Sequence, residues 1–185
     1  LKIIAKSFYG VMALRSFRLY KKEIPASITY IARKSINEAI NWLEKNNIKV
    51  IYGDTDSVFI QTEKIDIEMI KNINNRLNEH LKIFFMGFGV EEKNYIFNLE
   101  FEKVFSIVFF KLKRDSEEGA KKRYAGKIVW KDGFTNQMEI KGFESRRSDS
   151  PKIGREFIKS ILEMILDKKE FKEVNQYVED FKVKI

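Results

Sequence analysis

A chain of 185 residues, 44% of them hydrophobic, has enough apolar material to bury a sizeable core and is expected to form one domain, or one and a part. Its 35 basic and 27 acidic residues leave a formal charge of +8, which favours a polyanionic partner such as nucleic acid, although a solubilising surface gives the same number. The absence of cysteine excludes disulfides and thiolate metal sites and fits an intracellular protein, and no run of about 18 apolar residues and no signal-peptide pattern suggests a membrane partner.

In chain order, residues 1–12 read as the tail of a helix. Leu1, Ile4, Phe8 and Val11 fall on one face, and Lys2, Lys6 and Tyr9 on another. That second face suits a phosphate chain and a base pair, or simply water, and both readings stay open. The first residue is Leu and not Met, as expected of a fragment or a processed chain. A packing helix is expected from Pro25 to Lys45, with Pro25 at its first position and an apolar stripe of Ile28, Ile31, Ala32, Ile36, Ala39, Ile40 and Leu43.

Residues 48–51 and 58–60 are β-branched or aromatic runs, which places Tyr52-Gly53-Asp54-Thr55-Asp56-Ser57 at the tip of a hairpin. In extended backbone Asp54 and Asp56 would point the same way, roughly 6 to 7 Å apart by strand rise. Two such charges repel unless a divalent cation neutralises them. Oxygen ligands without Cys or His nearby suit Mg²⁺ or Mn²⁺. The same residue types are ordinary turn formers, so the tip alone leaves a metal site and a polar turn as equal alternatives.

A third helix is expected from Asp66, as its N-cap, to Gly87, with Ile70, Ile73, Leu77, Leu81 and Phe84 on its apolar face. The lone His80 inside it has no second His or Cys with which to share a metal, and reads as a surface or capping residue. Tyr95 to Phe110 reads as one or two strands. There Tyr95, Phe97, Leu99 and Phe101 alternate with Asn98, Glu100 and Glu102, so one face carries carboxylates that could adjoin the hairpin tip or meet water. Residues 114–119 read as a charged loop.

Lys121-Lys122-Arg123-Tyr124-Ala125-Gly126 opens a strand continuing to Trp130, with Asp132-Gly133 as a turn. Between Lys111 and Lys131 there are eight basic residues against three acidic ones. Basic residues mixed with Tyr on a strand fit a nucleic-acid backbone, and equally a solvent-facing hairpin. Ser150 and Pro151 read as the start of a helix whose core face is Ile153, Phe157, Ile161 and Ile165, followed by a further helix over Phe171–Phe181.

Three of these stretches carry a resemblance. Tyr52-Gly53-Asp54-Thr55-Asp56-Ser57 resembles motif C of the family B DNA polymerases, residues 2–10 (KIIAKSFYG) resemble the end of their motif B, and residues 121–124 their KKRY motif. They stand in the family's order, with Gly142-Phe143-Glu144 and Arg146-Arg147 following where the palm gives way to the thumb. The resemblance covers essentially the whole chain and is of the archaeal type. It implies an α+β fold in which an antiparallel palm sheet packs against helices: residues 1–22 end the fingers, 23–143 form the palm, and 144–185 begin a truncated helical thumb.

The resemblance also implies roles. Asp54 and Asp56 match the catalytic, metal-binding carboxylates, and Glu102 a neighbouring metal carboxylate. Lys2 and Tyr9 match residues that meet the incoming nucleotide, with Lys6 in the same place. Lys121, Lys122, Arg123 and Tyr124, with Arg146 and Arg147, match the DNA-binding surface. The implied activity is DNA-directed nucleotidyl transfer with two Mg²⁺ ions, Mn²⁺ being able to substitute, on primer-template DNA and a deoxynucleoside triphosphate, in the cytoplasm at the nucleoid.

Two departures accompany it. The family has Asn where this chain has Lys6, and its motif A carboxylate, most of its fingers and its exonuclease lie upstream of the matched region. The chain is therefore expected to hold half of a two-metal site, to need an upstream polypeptide, and to be inactive alone. The alternative is a non-catalytic DNA-binding or structural subunit derived from such a polymerase.

Overall fold

The computed structural model describes residues 2–112, 119–143 and 151–183. In order these form α1 (Lys2–Ala13), α2 (Glu23–Lys45), β1 (Val50–Asp54), β2 (Ser57–Ile60), α3 (Ile67–Met86), a 3-10 turn (Glu92–Asn94), β3 (Val104–Leu112), β4 (Gly119–Trp130), β5 (Phe134–Lys141), α4 (Lys152–Leu166) and α5 (Phe171–Val183). The fold is α+β, with antiparallel sheets of order β1-β2 and β3-β4-β5. The chain divides into two units, residues 1–100 and 101–185. No helix among the described residues is long and apolar enough to cross a membrane.

In the first unit, Ala39 and Leu43 of α2 meet Leu77 and Leu81 of α3, and Val50, Val58 and Ile60 of the hairpin close over them. Asp66 caps α3 as expected, accepting a hydrogen bond from the Met69 amide at 3.0 Å. Gly87 ends that helix in right-handed conformation, and the left-handed glycine is Gly89. The expected stripe of α2 enters this core through its C-terminal half, at Ala39 and Leu43, and Ile28 is exposed. α2 also starts two residues early, with Pro25 inside its first turn, where a missing N–H costs nothing. In α1, Ile4 and Phe8 of the expected apolar face are exposed, while Val11 is half-buried.

The expected strand over Tyr95–Phe110 is a strand only from Val104. Burial does alternate over residues 95–103, yet no ladder forms there among the described residues. The Asn78 side chain replaces it, donating to the Leu99 carbonyl at 2.9 Å and accepting from the Leu99 amide at 2.8 Å.

In the second unit one face of the sheet, carrying Ala125 and Ile140, packs on Leu162 and Leu166 of α4 with Ile107, Phe109, Met138 and Ile158 around them. The core residues of α4 are thus Ile158, Leu162 and Leu166, and not the stripe led by Ile153. Phe157 faces α5 instead, stacking on Phe181 with ring centroids 4.2 Å apart and on Tyr177 at 5.9 Å. Pro151 occupies the cap position of α4 without a side-chain bond; Ser150 lies outside the described residues.

Candidate functional site

The hairpin tip is built by close approach. Gly53 pairs with Val58, and a Cβ placed on Gly53 would lie 3.3 Å from Ile40 Cδ1, so the absent side chain lets the strand settle against α2. Gly53 and Val58 therefore face the helix. One step along, Asp54 pairs with Ser57 and projects from the opposite face, which it shares with Tyr52 and Phe59, themselves an edge-to-face pair at 5.4 Å.

Thr55 and Asp56 form a two-residue turn, and neither has a positive φ. Strand alternation consequently stops at Asp54. Asp54 ends β1 and Asp56 lies in the reversal of the chain, so the two are not same-side neighbours along one extended strand. Asp56 is exposed, while Asp54 is half-buried and accepts a hydrogen bond from Thr55 Oγ1 at 3.2 Å. The pair offers hard oxygen ligands suited to a divalent cation. Among the described residues no third His, Cys, Asp or Glu joins it in a metal-holding group.

On α1, Lys6 is exposed and Tyr9 lies on the same face, i+3 from it; Lys2 stands one turn earlier on the backbone. His80 is engaged in structure, its Nε2 lying 2.7 Å from Glu38 Oε1 and its ring 6.0 Å from that of Trp42.

In the second unit the basic strand is irregular where its motif lies. Phe110 pairs with Tyr124 and Leu112 with Gly119, so two steps of β3 oppose five of β4. The bulge holds Lys122 at φ +62°, exposed, followed by the half-buried Arg123. Gly142, at φ +72°, closes against this bulge. A Cβ on it would collide with the Lys122 carbonyl oxygen, so glycine is required both by conformation and by space.

Tyr124 itself is buried, and its hydroxyl donates to Glu139 Oε1 at 2.8 Å. Glu139 also accepts from Lys103 Nζ at 2.7 Å, and Lys141 lies 3.4 Å from it. Lys103 has a side chain only 8% exposed and pairs in addition with Glu102 at 2.9 Å. Burial draws the Glu139 carboxyl upward, but hydrogen bonds from Lys103 and Tyr124 outweigh it and hold it below its ordinary value. Burial likewise opposes the Lys103 charge, and its bonds to Glu139 and Glu102 prevail and raise it. Desolvation, reinforced by Glu139, pushes the Tyr124 phenol far above its usual value, so it stays protonated.

The structure thus places Lys122 at the surface and Tyr124 inside, with Lys127 on the α4 face, paired with Asp167. The backbone of Lys121 belongs to β4; Arg146 and Arg147 lie outside the described residues. Sequence reasoning missed Glu139 and Lys103. The usable signal was the polar set Gln137, Glu139 and Lys141 alternating with Met138 and Ile140 in β5.

With the hairpin carboxylates and the bulged basic strand in place, the comparisons with known proteins are specific. The model of DNA polymerase family B matches residues 1–185, and the chain belongs to that family. DNA polymerase 1 of Sulfolobus acidocaldarius is 32% identical over 182 residues, covering 97% of this chain and 18% of that protein. DNA polymerase II of Escherichia coli is 30% identical over 166 residues, covering 85% of this chain and 20% of its own length. The structure of the family B DNA polymerase from the hyperthermophilic archaeon Pyrobaculum calidifontis matches with a TM-score of 0.58 at 27% identity, over 97% of this chain and 19% of that one. The chain spans about a fifth of the length of each of these three proteins.

Proposed function

We propose that this chain supplies the motif C part of a DNA-directed DNA polymerase active site together with a primer-template grip, and that it works with a polypeptide carrying the upstream palm. The observation that carries the reading is the Asp54/Asp56 pair on its two-residue hairpin turn, in a chain of this family. Asp54 and Asp56 would hold Mg²⁺ or Mn²⁺, with Glu102 as a further ligand once released from Lys103. Two such ions supply neutralisation of triphosphate charge and a lowered pKa for the primer hydroxyl.

The chain's own residues orient the reactants. Lys2, Lys6 and Tyr9 along one face of α1 receive the triphosphate and the nascent base pair, while Lys121, Lys122 and Arg123 at the bulge, with Arg146 and Arg147, neutralise the primer-template backbone. In this reading residues 1–22 end the fingers, 23–143 form the palm and 144–185 open the thumb, in an intracellular, nucleoid-associated enzyme. Tyr124 acts from inside the sheet, fixing the strand that presents Lys122.

Two carboxylates on one hairpin do not surround two ions, which need oxygen ligands from a second direction. The isolated chain should therefore bind DNA weakly, in a salt-sensitive way, without extending a primer. A non-catalytic DNA-binding or structural subunit is the second reading, favoured by Lys6, where a long cation stands near the nucleotide in place of a neutral amide.

Primer extension and DNA binding measured together, with and without an upstream polypeptide carrying motif A, distinguish them. Extension only with the partner supports the catalytic reading. Extension by the chain alone overturns the half-site argument, and binding without extension under both conditions establishes the non-catalytic one.

A further inference from the structure

We propose that the connection between α1 and α2, residues 14–22, is a binding site for single-stranded nucleic acid, in which Arg15, Arg18, Lys21 and Lys22 neutralise phosphates and Phe17 stacks on a base. The charge of this chain is not spread along it. Residues 1–37 hold eight basic residues and one acidic one, Glu23, and so carry +7 of the formal +8. A charge that served only solubility would be interspersed with the opposite sign. Lys2 and Lys6 belong to the proposed nucleotide face of α1; four of the other six cations fall within residues 14–22, where no acidic residue occurs.

The connection is folded back on itself. The Phe17 amide donates to the Leu14 carbonyl at 3.0 Å and the Tyr20 amide to the Phe17 carbonyl at 2.9 Å, and the Lys21 amide returns the chain to the Met12 carbonyl of α1 at 3.1 Å. These turns gather the four cations onto one short segment. All four are exposed, and none is in an ion pair with a described residue. Phe17 stands between Arg15 and Arg18, 39% exposed, with no ring partner among the described residues. Clustered, unpaired cations favour a polyanion, because each phosphate contact releases a counterion, and an exposed ring among them offers a stacking surface that unpaired bases can use. The family to which the chain belongs makes DNA that polyanion. The inference rests on the polymerase reading in that choice alone, since these residues lie in the first unit and the Lys122 bulge lies in the second.

The test is fluorescence anisotropy of labelled dodecathymidylate with the whole chain across a range of salt, with poly-glutamate and phosphatidylglycerol vesicles as competitors. The double variant Arg18→Ala/Lys22→Ala should reduce the slope of log K against log salt by about 1.4, the share of two single-strand phosphate contacts. Phe17→Leu should weaken binding about tenfold at an unchanged slope, because a stacking surface is lost and no charge is. Arg18→Lys/Lys22→Arg keeps both charges and should restore the parental slope, which separates charge from an altered turn. A parental slope in the alanine double variant overturns the proposal. So does parental affinity in Phe17→Leu, or displacement of the oligonucleotide by poly-glutamate or vesicles at equal charge concentration. Lys122→Ala on a primer-template is the parallel measurement: a reduced slope there, with none from Arg18→Ala/Lys22→Ala, sinks this inference alone, and the converse supports it while removing the bulge.

Discussion

Tyr124 Oη donates to Glu139 Oε1 at 2.8 Å across the β4–β5 ladder, where Tyr124 sits directly opposite Lys141 and diagonally from Glu139. The bond ties the strand carrying the exposed, bulged Lys122 to a carboxylate that is itself held by Lys103 at 2.7 Å. A bulge is a weak point in a ladder. Here the residue two positions after Lys122 is anchored by a buried hydroxyl, so the cation is presented from a fixed base.

Glu139→Gln should destabilise the second unit by about 1–3 kcal/mol at neutral pH, the usual loss when a buried charged hydrogen bond is broken. The Glu139 carboxyl lies below 4.5, so its contribution is present above the unfolded value and lost as the pH falls through the folded one. Lys103 is raised above 10.5, so its contribution is present below that value and lost as the pH rises through the folded one. Denaturant titrations followed by Trp130 fluorescence at neutral and strongly acidic pH check this. The gap between the parent chain and the variant should narrow in acid, and a gap independent of pH would refute the assignment.

Leu81→Ala removes a fully buried side chain from the contact between α2 and α3, and should cost the first unit about 2–5 kcal/mol. Trp42 packs against that core and Trp130 belongs to the other unit. The unfolding midpoint read from Trp42 should therefore move, and single-tryptophan variants make the reading specific. An unchanged Trp42 midpoint would mean the site collapses around the lost volume.

Much of this architecture is legible in the residues themselves. The Asp66 cap of α3, the Thr55-Asp56 reversal and the Lys121–Trp130 strand each follow from local chemistry. What failed depended on neighbours. The alternation over residues 95–103 is real, yet Asn78 and not a strand satisfies Leu99. α4 carries two apolar stripes, and which one meets the sheet is decided by α5, whose Tyr177 and Phe181 take Phe157. The separation of Asp54 from Asp56 was read from strand geometry that ends one residue too soon.

Lys122→Ala should weaken primer-template binding about equally for all DNA sequences and reduce the slope of log K against log salt by about 0.9, the share of one phosphate contact. Both residues must hold the same left-handed backbone, φ +62°, so Lys122→Gly serves as a control that relieves the strain and still lacks the charge. The two variants should show the same slope. An unchanged slope, or loss of affinity for one sequence only, would remove Lys122 from the backbone-binding set.

Asp56→Asn should abolish nucleotidyl transfer by the assembled enzyme, lowering the single-turnover rate by at least about a thousandfold, while primer-template affinity stays within about twofold. The asymmetry follows from position. Asp56 is exposed in the hairpin turn, outside the cluster of Leu43, Leu77 and Leu81, so neutralising it does not disturb the core. It also lies in the first unit, whereas Lys122 and Arg123 stand on a different sheet in the second, so the phosphate contacts proposed for them should be unaffected. Asp54→Asn should be less clean, because Asp54 is half-buried and accepts the Thr55 hydroxyl at 3.2 Å; a modest loss of hairpin stability should accompany its loss of rate. Single-turnover extension at saturating Mg²⁺, paired with a DNA-binding isotherm for each variant, provides the measurement. A near-normal rate for Asp56→Asn would remove the hairpin from the catalytic site. Parallel loss of rate and DNA affinity would instead make the pair a structural turn on which the binding surface depends.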